Sequence, residues 1–98
     1  MDKKIKWTSK ALRNYLKIID HIVKEWSFNS ALKFEKILQL KLQLLSQFPE
    51  SGNSSGLKKG YHKLIITRQN SIFYSIKQNE ILILNIHDNR QDPDRKKY

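Results

Sequence analysis

Cysteine is absent from this 98-residue chain, which excludes a disulfide framework, a thiolate nucleophile and a cysteine-based zinc site. Glycine and proline are scarce, at three and two residues. All three glycines lie between residues 50 and 60, so the chain has one main loop. No stretch approaches the roughly 20 apolar residues of a membrane-spanning helix. The opening Met1-Asp2-Lys3-Lys4-Ile5-Lys6-Trp7 has no apolar core of a secretory signal. The expectation is a soluble cytoplasmic domain without a membrane partner.

Acidic residues are few as well. Nine Asp and Glu stand against nineteen Lys and Arg, a formal charge of +10. Such a surface attracts nucleic acid, anionic lipid or an acidic protein. Lysine outnumbers arginine fifteen to four, which suits general attraction to phosphate more than bidentate recognition. His21, His62 and His87 lack metal-ligand spacing, so no metal is expected. No glycine-rich phosphate loop joins a strand to a helix, and no Gly-x-Ser-x-Gly elbow occurs. No small-molecule cofactor is implied.

What is present reads as one globular domain over residues 1–98. A chain of this length has room for a single core, and its ten aromatics argue against disorder. Lys4 and Lys6 alternate with Ile5 and Trp7 in a short first strand. Thr8 or Ser9 is placed to cap the helix that follows. Leu12, Tyr15, Leu16, Ile19, Ile22, Val23 and Trp26 form its apolar stripe. After Ser27-Phe28-Asn29-Ser30 a second helix carries Phe34, Ile37, Leu38, Leu45 and Phe48. Leu40, Leu42 and Leu44 widen that apolar face beyond one stripe. It must bury against both the first helix and a sheet, or its outer leucines await a partner protein. Pro49 ends the helix.

Three strands follow the loop at 50–60. Tyr61 to Thr67 and Ser71 to Lys77 alternate, with Arg68-Gln69-Asn70 turning between them. Gln78-Asn79 forms a tight hairpin. Glu80 to His87 is apolar on both faces through Ile81-Leu82-Ile83-Leu84, as an interior strand requires. The fold class is α+β in the order β-α-α-β-β-β. A helical hairpin covers one face of a small, mainly antiparallel sheet, and a loose charged tail occupies 94–98.

Two basic groups are candidate sites. His87 at the end of the last strand suits a general acid or base, or an ordinary histidine bonded to a backbone carbonyl. Arg90 suits a phosphate, or a pair with Asp88 or Asp92. Lys58, Lys59, His62, Lys63 and Arg68 form the second group, with no acid between residues 51 and 79. They suit a phosphate contact surface or a charged guard on a sheet edge. The meander is expected to bring His62 and Lys63 within roughly 10 Å of His87 and Arg90, two strands apart.

These pieces together resemble the RelE/ParE superfamily, the toxins of type II toxin–antitoxin modules, also called plasmid stabilisation proteins. The resemblance rests on Ile5-Lys6-Trp7-Thr8 with Ala11 and Leu12, a helical hairpin ending in Phe48-Pro49, and Ile72-Phe73-Tyr74-Ser75-Ile76. It also rests on Ile81-Leu82-Ile83-Leu84 leading to His87-Asp88-Asn89-Arg90-Gln91-Asp92-Pro93. It implies neutralisation by a cognate antitoxin, with the helical hairpin as platform. A RelE-like member cuts mRNA in the ribosome, with Lys63, Arg68, His87 and Arg90 as catalytic residues. A ParE-like member poisons DNA gyrase and is no nuclease, with Lys58, Lys59 and His62 contacting the target. Ser71 stands where the family often carries arginine, and no tyrosine follows His87. Both departures favour the ParE-like reading. A basic nucleic-acid-binding domain without toxicity is a further alternative.

Overall fold

The computed structural model describes residues 2–53 and 60–88. Lys58, Lys59, Arg90 and the tail expected at 94–98 lie outside the described residues. The elements are β1 (Lys4–Trp7), α1 (Ser9–Glu25), α2 (Phe28–Gln47), a 3-10 turn (Pro49–Ser51), β2 (Tyr61–Ile65), β3 (Asn70–Ile76) and β4 (Glu80–Asp88). This is the expected α+β order.

Each helix starts at a hydroxyl. Thr8 is extended, and its side chain accepts the Ala11 N–H at 3.1 Å. Ser27 does the same for Ser30 at 3.0 Å. These bonds satisfy amides that have no partner within the helix. Pro49 follows the cap residue Phe48 and opens the 3-10 turn, because proline cannot continue the α-helical ladder.

The sheet has the order β1-β4-β3-β2. The pairs β2–β3 and β3–β4 are antiparallel, whereas β1 runs parallel to β4, Ile5 facing Ile81 and Trp7 facing Ile83. Strand β4 is therefore interior, as its apolar run on both faces requires. Its ladder with β3 contains a bulge: Phe73 pairs with Asn85 but Tyr74 pairs with Ile83, leaving Leu84 as the extra residue. Among the described residues no helix is long and apolar enough to cross a membrane.

The core lies between the helices and one face of the sheet. It joins Ala11, Ile18 and Ile22 of α1 to Phe34, Leu38, Leu42 and Leu45 of α2. Below them lie Ile72, Tyr74, Ile81, Ile83 and Ile86 of the sheet. The buried line of α1 thus runs through Ala11, whose small side chain lets the helix approach β4. Leu12, Leu16, Val23 and Trp26, expected on the buried stripe, remain exposed. On α2 the same holds for Ile37 and Phe48, with Leu40 and Leu44 beside them. Five inward residues exhaust the contact that a two-layer fold offers this helix, and its wider apolar arc stays outside.

Two tyrosines tie the layers together. Tyr74, fully buried, donates its hydroxyl proton to the Pro49 carbonyl at 2.8 Å and accepts the Gly52 N–H at 3.0 Å. Burial raises its pKa, and the nearby Glu50 charge adds to this, against a lowering by the Gly52 hydrogen bond. A Cβ on Gly52 would overlap the Tyr74 hydroxyl oxygen and stand 2.9 Å from the Lys63 carbonyl oxygen. Glycine is thus required there for space, its backbone being ordinary extended chain. Tyr15 of α1 packs on Trp7, with centroids 5.5 Å apart, and donates to the Glu35 carboxylate of α2. Burial, the hydrogen bond and the Glu35 charge all raise its pKa.

Candidate functional site

Strand register decides which basic residues meet. β2 and β4 both run antiparallel to β3, so they run parallel to each other and their beginnings lie level. His62 faces Tyr74, which faces Ile83; Lys63 faces Phe73, which faces Asn85. The residue two strands from His87 is Ile65, through Ser71. The expected convergence of His62 and Lys63 on His87 is therefore corrected, because a three-strand meander brings like ends together. Lys63 and His87 lie two residue steps and two strands apart, about 12 Å by standard strand spacing.

The side chains of His62 and Lys63 point to opposite faces. Lys63 is half-buried, its Nζ 5.8 Å from the centre of the Phe73 ring, a cation–π distance. Its backbone pairs with Asn53 through two 2.8 Å bonds, which cover this point of the sheet edge. His62 stacks on Tyr74 with centroids 5.1 Å apart, and its Nδ1 is buried without a partner. It belongs to the seam holding the 3-10 turn against the sheet, on the face opposite to Lys63. Arg68 is exposed in the turn between β2 and β3.

The far end of β4 is the region with the most polar chemistry. His87 pairs in register with Ser71, and Asp88 with Asn70. Ser71, Asn70 and Asp88 are each at most 4% exposed. The Ser71 hydroxyl and the Asn70 carbonyl oxygen are buried without hydrogen-bond partners, although Asn70 Nδ2 donates to Thr67 Oγ1 at 3.0 Å. Asn14, Lys17, Ile18, Ile86, His87 and Asp88 line a depression of about 260 Å³. A second cleft of about 250 Å³ lies between the two helices and the β2–β3 turn, with Trp26 and Lys33 on its rim and Phe34 in its wall. Sequence reasoning missed Asn70 and Trp26 as parts of these hollows. The signals were faint: an Asn in a turn and the last apolar residue of a stripe.

Among the described residues no three His, Asp or Glu stand together as metal ligands.

Comparison with known proteins agrees on the lineage. The family model for the ParE toxin of type II toxin–antitoxin systems, parDE, matches residues 5–93. Among solved structures, the chain is similar to one described as the chromosomal ParDE TA system from P. aeruginosa. Identity to it is 29% and the TM-score 0.74, over 88% of this chain and 95% of that one. It shares its fold with a chain of the RelBE2 toxin–antitoxin complex from Mycobacterium tuberculosis, at 15% identity and TM-score 0.65, over 90% and 99% of the two chains. The YoeB dimer from Staphylococcus aureus has the same fold, at 16% identity and TM-score 0.61, over 89% and 97%. Comparison with curated protein sequences gives no match. With the family model matching nearly the whole chain, this protein belongs to the ParE toxin family of type II toxin–antitoxin systems.

Proposed function

We propose that this toxin inhibits growth by binding and poisoning DNA gyrase, and that a cognate antitoxin neutralises it. The match of residues 5–93 to the ParE family carries this reading. The occupation of His62 by its stacking on Tyr74 is consistent with it. On this reading the toxin acts by occupying its target, with the basic surface steering it there.

The antitoxin is the natural cover for the helical hairpin. Ile37, Leu40, Leu44 and Phe48 form an exposed stripe at three- and four-residue spacing along α2, between 39% and 62% exposed. Lys33, Lys36 and Lys41 flank it, and no acidic residue occurs between Glu35 and Glu50. An acidic amphipathic segment matches such a surface in both polarity and charge.

The test is induced expression in a bacterial host with separate readouts of translation and DNA replication. It is joined to a supercoiling assay with purified gyrase. Gyrase poisoning predicts a DNA-damage response, normal early protein synthesis and loss of supercoiling in vitro. Early arrest of translation with cut transcripts would replace this reading with ribosome-dependent mRNA cleavage. Normal growth with abundant folded protein would remove toxicity itself.

A further inference from the structure

Strand β4 changes the side of its side chains halfway along. Alternation from Ile81 and Ile83, both fully buried under the helices, would next place residues 85 and 87 on that face. Instead Ile86 and Asp88 are buried, at 2% and 4% exposure. His87, half-buried between them, lies opposite Ser71 and on the other side of the strand. The extra residue Leu84 produces this inversion.

Thr8 sits against the bulge. Its N–H donates to the Ile83 carbonyl at 3.1 Å. Its hydroxyl lies 3.0 Å from the Ile83 carbonyl oxygen and 3.2 Å from that of Leu84. The same hydroxyl oxygen accepts the Ala11 N–H. Beyond the bulge, Asn14 of α1 donates to the Asn85 side-chain carbonyl at 2.6 Å. A bulge takes backbone carbonyls out of the regular ladder, and they need other donors. One threonine hydroxyl thus caps α1 and supplies a donor to both carbonyls at the kink.

We infer that Thr8 is a positioning residue for the distal end of β4: by clamping the Leu84 bulge it turns Ile86 and Asp88 to the buried side and His87 to the opposite side of the strand. The expected effect on inhibition rests on the ParE-like reading, whereas the clamp itself does not.

Three substitutions separate the two tasks of the hydroxyl. Thr8→Ser keeps donor and acceptor. Thr8→Asp keeps the helix cap but, ionised, has no proton to donate. Thr8→Val keeps the shape and loses both. The full chain, with its histidine rings labelled for NMR, reports on His21, His62 and His87 separately, and the supercoiling assay reports on inhibition. The His87 signal should move in Thr8→Asp and Thr8→Val while the His62 signal and the helix content stay unchanged. Inhibition should fall about tenfold or more, in the range that misplacing one contact group produces. Thr8→Ser should match the parent in both readouts. An unmoved His87 signal in the Asp and Val variants would overturn the inference, and so would a Ser variant that behaves like Val. If the Asp variant does not fold, the Val variant is read against Ser27→Ala, which removes a helix cap without touching the bulge: a His87 shift of equal size in both would overturn the inference. Should the parent leave gyrase untouched, the gyrase reading fails, and the His87 signal still settles the role of Thr8.

Discussion

The sheet and the helical hairpin handle their apolar residues in opposite ways. On the covered face of the sheet, Ile72, Tyr74, Ile81, Ile83 and Ile86 are each at most 2% exposed. On the hairpin, Leu16, Trp26, Phe28, Leu40 and Phe48 are each more than half exposed. Both layers are rich in large apolar side chains, yet only one uses nearly all of them for its own stability. The difference separates two purposes within one composition. The sheet residues hold the fold, and the outer helical residues are available to a second protein.

The comparison breaks first at the sheet. Ile83→Ala removes a fully buried side chain next to both β1 and the bulge. It should cost about 3 to 4 kcal/mol by the cavity it leaves. Urea or thermal unfolding measures this, and a loss below about 1 kcal/mol would mean that the two layers do not differ as described. Gly52→Ala should come next, at about 2 kcal/mol, since the new methyl overlaps the Tyr74 hydroxyl and the Lys63 carbonyl and overpacking costs of this order are usual. Pairing it with Tyr74→Phe sharpens the result. If the hydroxyl is the obstacle, the double variant should be more stable than the sum of the single losses.

Tyr74→Phe alone should cost about 1 to 2 kcal/mol, because the Gly52 N–H and the Pro49 carbonyl lose their partner in exchange for no new one. It also bears on pH. The folded pKa values of Tyr74 and Tyr15 lie above the ordinary tyrosine value, near 10. The unfolded chain therefore loses these protons first as pH rises. The stabilisation is complete below pH 10 or so, and declines as pH climbs from there through the folded values. Unfolding midpoints between pH 8 and 12 should show this decline, with a shallower slope in Tyr74→Phe.

The smallest effect on stability belongs to the hairpin. Leu40→Gln with Leu44→Gln should change unfolding by no more than about 0.5 kcal/mol, as exposed substitutions do. Calorimetry against the cognate antitoxin should nevertheless show weaker binding by about 2 kcal/mol or more if the stripe forms its central contact. Unchanged affinity would move the docking surface elsewhere.

The element order, the caps and the interior position of β4 were legible because each has a local cause. Thr8 or Ser9 precedes an apolar stripe, Pro49 stops a helix, and Ile81-Leu82-Ile83-Leu84 has no polar face to show water. The bulge was not legible. A run apolar on both faces carries no alternation, so a change of side at Leu84 leaves no trace in the residue pattern. The site suffered for a related reason. Composition marks Lys63, Arg68 and His87 as basic, but only register shows that like ends of β2 and β4 adjoin. Helical periodicity located the apolar arcs of α1 and α2 correctly. It could not tell which part of an over-wide arc faces inward, so Leu12, Leu16 and Phe48 were assigned to the interior.

The sheet order has a consequence for how the toxin comes into being. β1 pairs only with β4, and Thr8 reaches a carbonyl 75 residues further along. The two helices join neighbouring chain, whereas the sheet closes with a ladder between distant segments. During synthesis the leucine-studded helices thus emerge while the first strand still waits for the last. An antitoxin that reads the hairpin would meet its toxin before the toxin is finished. Protease protection of stalled nascent chains tests this timing: a hairpin protected only after β4 emerges would refute it. If the order holds, the sheet completes itself on a chain whose binding surface is already open to capture.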